Sequence, residues 1–160
     1  MDSLKNLIFG LLMFCFFNAF SQNNQVELLQ AGELEGMLIE KKEVRRLKNN
    51  VIFKQNNTLL YCDSAFQYVA DNKIAAFGNV RIVKGDSLEI RGETLRYDGA
   101  TKLAVVTGKE VQMNESQGAK LVSKELNFDM SKNLIFYQTG GVITHQGNVL
   151  NSERLLQHSV

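Results

Sequence analysis

The sequence predicts an all-β protein whose sheet is built from repeats of roughly 30 residues and is folded over on itself. From Val51 onward, apolar and polar residues alternate with the period of two that strands require. Polar turns rich in Gly, Asn, Asp and Ser separate the apolar runs, and the chain contains no proline. Val51, Val80, Val111 and Val142 recur at spacings of 29, 31 and 31 residues. Self-similarity at this length indicates a stacked repeat architecture.

Residues 1–21 are typical of a cleavable signal peptide. Lys5 supplies a positive charge, and residues 7–17 form an apolar run that is shorter than the roughly 20 residues a membrane-spanning helix needs. The small residues Ala19 and Ser21 predict cleavage before Gln22. We therefore expect an exported protein.

Composition and cysteine content narrow the functional classes. The 18 basic residues balance 17 acidic residues, so the net charge is +1. A nucleic-acid-binding surface needs a concentrated basic excess, and we expect no nucleic-acid partner. Removal of the signal peptide would take Cys15 and leave only Cys62, which excludes an internal disulfide. Cys62 is interpreted as a small hydrophobic residue on a strand.

The length of 160 residues predicts one domain, preceded by a lead-in. Residues 22–48 are interpreted as this lead-in with a weak first repeat, and residues 49–160 as the repeats, of which the last copy is incomplete. In the lead-in, "VELLQAGEL" is interpreted as a weak strand pair. The run at residues 40–48 mixes basic and acidic side chains, which favours a solvated face over a phosphate site.

Three copies align at residues 63–80, 92–111 and 123–142. Each has an apolar-x-aromatic pair, a polar turn, a short apolar strand, a glycine or glycine-containing stretch, and a valine. We expect about three strands of four to six residues in each copy, with one apolar inner face. The residues predicted to face inward are Val51, Phe53, Leu59, Tyr61, Phe66, Tyr68, Ile74 and Ala76; Val80, Ile82, Leu88, Ile90, Leu95, Tyr97, Leu103 and Val105; and Val111, Met113, Ala119, Leu121, Leu126, Phe128, Leu134 and Phe136.

No catalytic constellation is visible in the sequence. The only histidines, His145 and His158, lie late in the chain and are not spaced as a metal-binding pair. No serine sits in a glycine-rich nucleophile turn, and Asp63-Ser64 is interpreted as turn chemistry. We expect no enzymatic activity, no cofactor and no metal.

The stretch "FGNVRIVKGDSLEIRGETLRYDGATKLAVVTGKEVQM" resembles the LptA/OstA family, the periplasmic components of lipopolysaccharide transport. The resemblance covers about residues 49–150, and "LLYCDSAFQY" is similar to longer OstA-like variants. The third copy departs from the pattern with Gly108-Lys109-Glu110-Val111, and residues 151–160 lose it. The residues that carry the family pattern are Gly78-Asn79-Val80, Gly85-Asp86, Leu88, Ile90, Tyr97-Asp98 and Thr101-Lys102.

The resemblance implies an open β-jellyroll in the periplasm, with an apolar groove that holds lipopolysaccharide acyl chains and leaves the headgroup outside. It also implies bridging to neighbouring jellyroll proteins through edge strands, with a head-to-tail homo-oligomer as one form of that pairing. The candidate lipid-binding residues are Phe66, Tyr68, Ile82, Ile90, Leu95, Tyr97, Leu121, Leu126 and Phe128.

A second interpretation remains open at the level of sequence. A structural or adhesive β-repeat with a filled core and no lipid ligand would show the same alternation as a ligand groove. Ile90→Asp separates the two, because an unpaired charge in a packed core prevents folding, whereas a groove that exchanges lipid tolerates it. The chain is either a short family member or part of a longer protein.

Overall fold

The computed structural model describes residues 25–158, and these residues form strands, turns and bends. The predicted signal peptide at residues 1–21 lies outside the described residues. Within the described part, no helix is long and apolar enough to cross a membrane. The predicted all-β fold class is confirmed.

Twelve strands form one antiparallel sheet. In chain order they are β1 (Glu27–Gln30), β2 (Glu33–Ile39), β3 (Lys42–Gln55), β4 (Thr58–Tyr68), β5 (Lys73–Lys84), β6 (Leu88–Asp98), β7 (Leu103–Glu115), β8 (Lys120–Asp129), β9 (Leu134–Tyr137), β10 (Gly141–His145), β11 (Asn148–Ser152) and β12 (Leu155–His158).

The strands from β3 to β8 are longer than the sequence patterns predict, at 10 to 14 residues each. Each contains two of the expected short runs, joined without a turn. The pairing register shifts near the middle of every neighbouring pair, for example between Phe77 and Val80 of β5. Extra residues inserted into a strand bend it and raise its twist. Aligned shifts on successive strands therefore fold the whole sheet along one line.

This fold line divides the sheet into two walls. Wall 1 contains β2, β9, β12 and residues 42–48, 64–68, 73–77, 94–98, 103–107 and 125–129. Wall 2 contains β1, β10, β11 and residues 51–55, 58–62, 80–84, 88–92, 111–115 and 120–123. We call the line where the free ends of the two walls meet the mouth; it is bordered by the turns at residues 69–72, 99–102 and 130–133 of wall 1 and 56–57, 85–87 and 116–119 of wall 2.

The space between the walls is filled by a single apolar core. Each wall contributes side chains that face one another across the strands at matched register positions. In wall 2 one such row is Phe53, Leu60, Ile82, Ile90, Met113, Leu121 and Ile143. In wall 1 the matching rows are Leu47, Ala65, Ala76, Leu95, Val106 and Leu126, and Gln67, Ile74, Tyr97, Ala104, Phe128 and Ile135.

The turns of wall 1 repeat one local structure. Asp98 Oδ1 accepts hydrogen bonds from the backbone N–H of Ala100 at 2.9 Å and of Thr101 at 3.3 Å. Asp129 Oδ1 accepts the equivalent bonds from Ser131 and Lys132 at 3.0 and 3.1 Å. Carboxylates at the start of a turn stabilise it in this way. The last residue of each turn, at positions 72, 102 and 133, has a positive φ of 50°, 58° and 54°.

The 30-residue spacing corresponds to one hairpin of two bent strands. Hairpin-opening strands β4, β6 and β8 start at Thr58, Leu88 and Lys120. Val51, Val80 and Val111 are buried at equivalent places beside the fold line. Val142 is not equivalent to them, because it is 39% exposed and Gly141 holds the inward position opposite Ser123.

Candidate functional site

Seven of the nine candidate lipid-binding residues face the space between the walls. All seven are at most 5% exposed, and they come from three strands, β5, β6 and β8. The seven are Ile82, Ile90, Leu95, Tyr97, Leu121, Leu126 and Phe128.

The inward orientation predicted for Phe66 and Tyr68 is wrong. In β4 it is Ala65 and Gln67 that are buried, and they lie opposite the buried Ala76 and Ile74 of β5. Phe66 lies on the outer surface, where its ring meets that of Phe77 edge-on with centroids 6.4 Å apart. The alternation changes phase at the register shift between Tyr61 and Ser64, and the residues predicted to face inward are one position out of phase on both sides of that shift.

The other inward predictions that fail are also displaced by one position along their strands. Leu59 and Tyr61 alternate with the inward-facing Leu60 and Cys62, and Leu103 and Val105 with the buried Ala104 and Val106. Leu134 and Phe136 likewise alternate with the buried Ile135 and Tyr137. The interior residues that sequence reasoning missed include Val44, Leu47, Leu60, Cys62, Ala65, Gln67, Ala104, Val106, Ile135 and Tyr137.

A small cavity lies at the mouth, between the ends of the two walls. Its volume is about 30 Å³, which is room for a water molecule or two and far less than an acyl chain occupies. Wall 2 lines it with Phe53, Leu60 and Ile82, and wall 1 with Ile74 and Leu95. Its polar rim is formed by Lys54, Gln55, Thr58 and Tyr97, and its sides are completed by Val26 and Met130.

Hydrogen bonds connect the two walls across the mouth. The Tyr97 hydroxyl of wall 1 donates to Gln55 Oε1 of wall 2 at 2.5 Å. Burial raises the pKa of Tyr97, so the hydroxyl remains a donor at neutral pH. The backbone N–H of Val26 donates to Asn72 Oδ1 at 3.2 Å, and Lys84 Nζ donates to Asn133 Oδ1. The polar contacts that hold the mouth shut are therefore few, whereas at the fold line the two walls are joined by the continuous backbone of the strands.

The interior contains polar atoms without partners among the described residues. Gln67 Oε1 and the Tyr137 hydroxyl are buried and make no hydrogen bond there. The thiol of Cys62 is also buried, and burial, with a smaller effect of the Asp63 carboxylate, raises its pKa to about 12. A thiol with this pKa stays protonated and is a poor nucleophile.

The outer face of wall 2 carries a charged network. The Arg81 guanidinium carbon lies 4.2 Å from the centre of the Tyr61 ring, and Arg81 Nη1 is 3.3 Å from Glu89 Oε1. Arg91 Nη2 is 3.0 Å from the same carboxylate oxygen. The hydrogen bond from Arg91, supported by Arg81, lowers the pKa of Glu89. These charges lie on the side opposite Ile82 and Ile90, which separates a polar exterior from an apolar interior.

The described residues offer no evident centre for catalysis or metal binding. No group of three or more His, Cys, Asp or Glu side chains lies close enough to hold a metal ion within residues 25–158. His145 is exposed at the end of β10. What this arrangement can do chemically is enclose apolar groups between two separable walls.

Exposed apolar side chains concentrate on the strands at the two sides of the described sheet. Phe77 on β5 is the exception among the large hydrophobic residues that are exposed in residues 25–158. The others are Leu29, Leu34, Leu38 and Ile39 on β1 and β2, and Val142, Val149, Leu150 and Leu156 on β10 to β12.

Comparisons with known proteins agree with this architecture. The chain resembles the crystal structure of LptH, described as the LptA homologous periplasmic component of the lipopolysaccharide transport device from Pseudomonas aeruginosa, with a TM-score of 0.57 and 16% sequence identity. The match covers 68% of this chain and 78% of LptH, and it shows a shared fold. A comparison with curated proteins found no match. The model of one family, described as OstA-like protein, matches residues 23–155. Since that match spans most of its length, the chain belongs to the OstA-like protein family.

Proposed function

We propose that this protein is a periplasmic lipopolysaccharide-binding module that shields acyl chains between its two walls during transport toward the outer membrane. Membership of the OstA-like family and the fold shared with LptH support this function. It requires no catalytic residue and no cofactor. The periplasmic location rests on the same family and on the predicted signal peptide.

The observation that carries the proposal is an uninterrupted apolar row on the inner face of wall 2. The row from Phe53 to Ile143 crosses seven strands at matched register, so an extended chain would meet apolar side chains along the whole row. Each acyl methylene removed from water is worth about 0.8 kcal/mol. Entry of a hydrocarbon chain is therefore energetically favourable, provided that the walls separate.

Separation of the walls and binding of an acyl chain between them favour each other. The interior side chains cover one another in the described structure, and the remaining cavity of about 30 Å³ cannot take an acyl chain. Opening without a ligand would expose this apolar surface to water and is unfavourable. An acyl chain between the walls would cover the same surface, so lipid and opening stabilise each other.

Photo-crosslinking to lipopolysaccharide tests the acyl-chain site. A benzophenone amino acid is placed at Tyr97, whose side chain faces inward, or at the exposed Arg96, its neighbour on the outer face. We expect crosslinks from position 97 and none from position 96. A folded protein that crosslinks from neither position, or equally from both, would refute an interior lipid site.

We also propose that the module joins neighbouring jellyroll proteins through its edge strands, including other copies of itself. An unpaired strand edge is a template for pairing with another chain. β2 pairs only with β3 among the described strands, and its Leu38 is 76% exposed. Exposed apolar side chains beside an open edge would be buried by such a junction.

Charge placed on the edge tests this junction. We expect Leu38→Lys to lower the average mass of assemblies in analytical ultracentrifugation, while Phe77→Lys, which changes an exposed hydrophobic residue on the interior strand β5, leaves the mass unchanged. Both variants should retain lipopolysaccharide crosslinking from position 97. If the average mass of assemblies is unchanged for Leu38→Lys, β2 is not part of the junction.

The filled-core repeat remains the competing function, and the small cavity is the observation that favours it. Ile90→Asp distinguishes the two. Ile90 is fully buried in the described structure, so a permanently packed core would lose its cooperative unfolding transition. In a lipid-exchanging groove, the introduced carboxylate reaches water when the walls separate, so the variant is destabilised but retains a folded sheet by circular dichroism and loses lipid crosslinking from position 97.

A further inference from the structure

The lysines at the mouth are not equivalent. On wall 1, three of them pair with the carboxylates of the turns: Lys42 with Asp71 at 2.8 Å, Lys73 with Asp98 at 3.0 Å, and Lys132 with Asp129 at 3.1 Å. On wall 2, Lys84 is half-buried and reaches across the mouth to the neutral amide oxygen of Asn133. Within residues 25–158, Lys84 forms no salt bridge.

The surroundings of Lys84 leave its charge without a counter-ion. Its cross-strand neighbours are Thr58 on β4 and Leu88 on β6, both uncharged. Asp86 lies two residues further along, at an exposed turn. The next carboxylate in the same row is Glu115, opposite Leu88 on the far side of β6, and burial raises its pKa. A partly desolvated ammonium group favours a nearby anion.

Lys84 lies beside residues that line the cavity. Its neighbour Thr58 and the residue two positions before it, Ile82, both line that space. Lys54 of wall 2, which does line the cavity, lies directly opposite Glu27 of β1 in the register and is less suited to an external anion. The mouth thus places one unneutralised cation beside an apolar cavity that lies between separable walls.

We propose that Lys84 binds the anionic headgroup of an amphiphile whose acyl chain enters the cavity between Phe53, Ile74 and Leu95. This inference rests on the proposed function and names the point on the mouth where the headgroup is held. Charge complementarity selects an anionic amphiphile over a neutral one. The hydrogen bond to Asn133 holds Lys84 across the closed mouth, and a headgroup phosphate would replace that amide as its partner when the walls separate.

The test compares purified protein binding to diphosphoryl lipid A with binding to the same acylated disaccharide after removal of both phosphates. We expect the phosphorylated probe to bind about tenfold tighter, the effect of one charge-assisted contact at a partly exposed site. Lys84→Gln, which can still donate a hydrogen bond to Asn133, should bring this ratio close to one. Lys84→Arg should preserve it.

Lys73→Gln is the matched control, because it removes the same charge from wall 1 of the mouth. The proposal is overturned if Lys73→Gln lowers the ratio as much as Lys84→Gln does, which would indicate unspecific attraction. It is also overturned if inorganic phosphate at millimolar concentration displaces the lipid, which would indicate a site for a free anion. Thermal unfolding of each variant verifies that it is folded.

Binding to the dephosphorylated probe separates this proposal from the function on which it rests. If wild-type protein binds both probes equally, the role of Lys84 is refuted while acyl-chain binding stands. If folded wild-type protein binds neither probe, the proposed function fails as well.

Discussion

Two buried tyrosines show how single hydroxyl groups shape the interior. The Tyr97 hydroxyl donates to Gln55 across the mouth, whereas the Tyr137 hydroxyl has no partner among residues 25–158. The Tyr137 ring lies against Gly141, where an added Cβ would approach its Cζ to 2.8 Å. Glycine is therefore needed at position 141 for a steric reason, since its φ is not in the left-handed region.

Tyrosine-to-phenylalanine substitutions should have opposite effects at these two positions. Tyr97→Phe removes a made hydrogen bond and should lower the free energy of unfolding by about 1 kcal/mol. Tyr137→Phe removes a buried hydroxyl that lacks a partner and should leave stability unchanged or raise it by up to about 1 kcal/mol. Urea unfolding measures both. A loss for Tyr137→Phe that equals the loss for Tyr97→Phe would contradict the assignment of partners.

The turn carboxylate Asp129 should make stability depend on acid pH. Hydrogen bonds, chiefly from the Ser131 hydroxyl and then from Lys132, lower its pKa from 3.8 to about 2. A carboxyl group whose pKa is depressed by folding contributes stability above its unfolded pKa, and this contribution is lost as pH falls through the folded value. The contribution of Asp129 is therefore complete above about pH 4 and disappears between pH 4 and 2.

Urea midpoints measured from pH 2 to pH 7 test this dependence. Asp129→Asn should be less stable than wild type at neutral pH and should lose less stability between pH 4 and 2. Asp86→Asn is the control, because Asp86 lies at an exposed turn and forms no hydrogen bond or salt bridge in the described part of the chain. If the urea midpoints of Asp129→Asn and wild type change in parallel with pH, Asp129 is not a source of the acid dependence of stability.

At the scale of the element, the inward and outward faces of a strand exchange at its middle. This exchange separates what the sequence can predict from what it cannot. The period of two and the turns at 98–102 and 129–133 are visible in the sequence, and they predict the fold class. The phase within a strand is not visible, because one inserted residue exchanges the two faces. The pair Gly78-Asn79, both with positive φ, marks one such insertion in β5.

The prediction of the inner face of β4 follows side-chain size and is wrong. The aromatic residues Tyr61, Phe66 and Tyr68 suggest an inner face by their size, yet the pairing with β5 buries the smaller Ala65 and Gln67. Ala65 and Gln67 lie opposite the buried Ala76 and Ile74 of β5, and this pairing decides which face of β4 is inside. The partner strand is not contained in the sequence of β4 itself.

Substitutions on the two faces of β4 test this orientation. Ala65→Asp buries a charge at a position that is 1% exposed and should destabilise the protein by 3 kcal/mol or more, on the order of other unpaired buried charges. Phe66→Asp loses the edge-on contact with Phe77 and should cost about 1 kcal/mol. Chemical denaturation gives both values. The reverse ranking would place Phe66 inside, as the sequence alone predicts.

At the scale of the whole molecule, the two walls are joined more strongly at the fold line than at the mouth. The covalent backbone of every strand from β3 to β8 crosses the fold line, whereas the mouth is spanned by contacts such as Tyr97 to Gln55. Opening at the mouth therefore leaves the sheet intact. The lipid function requires this motion, because the closed interior has room for only a water molecule or two.

The most direct test of that claim is the distance across the mouth with and without lipopolysaccharide. Spin labels at the exposed turn residues Asp86 of wall 2 and Ala100 of wall 1 report the separation of the walls. A second pair at Ala100 and Ser131, both on wall 1, is the control. Cys62 is replaced by alanine so that the labels attach only at the chosen positions.

Lipopolysaccharide should lengthen the distance between positions 86 and 100 and leave the distance between positions 100 and 131 unchanged. Saturating lipopolysaccharide that binds the folded protein without changing either distance would contradict acyl-chain binding between the walls.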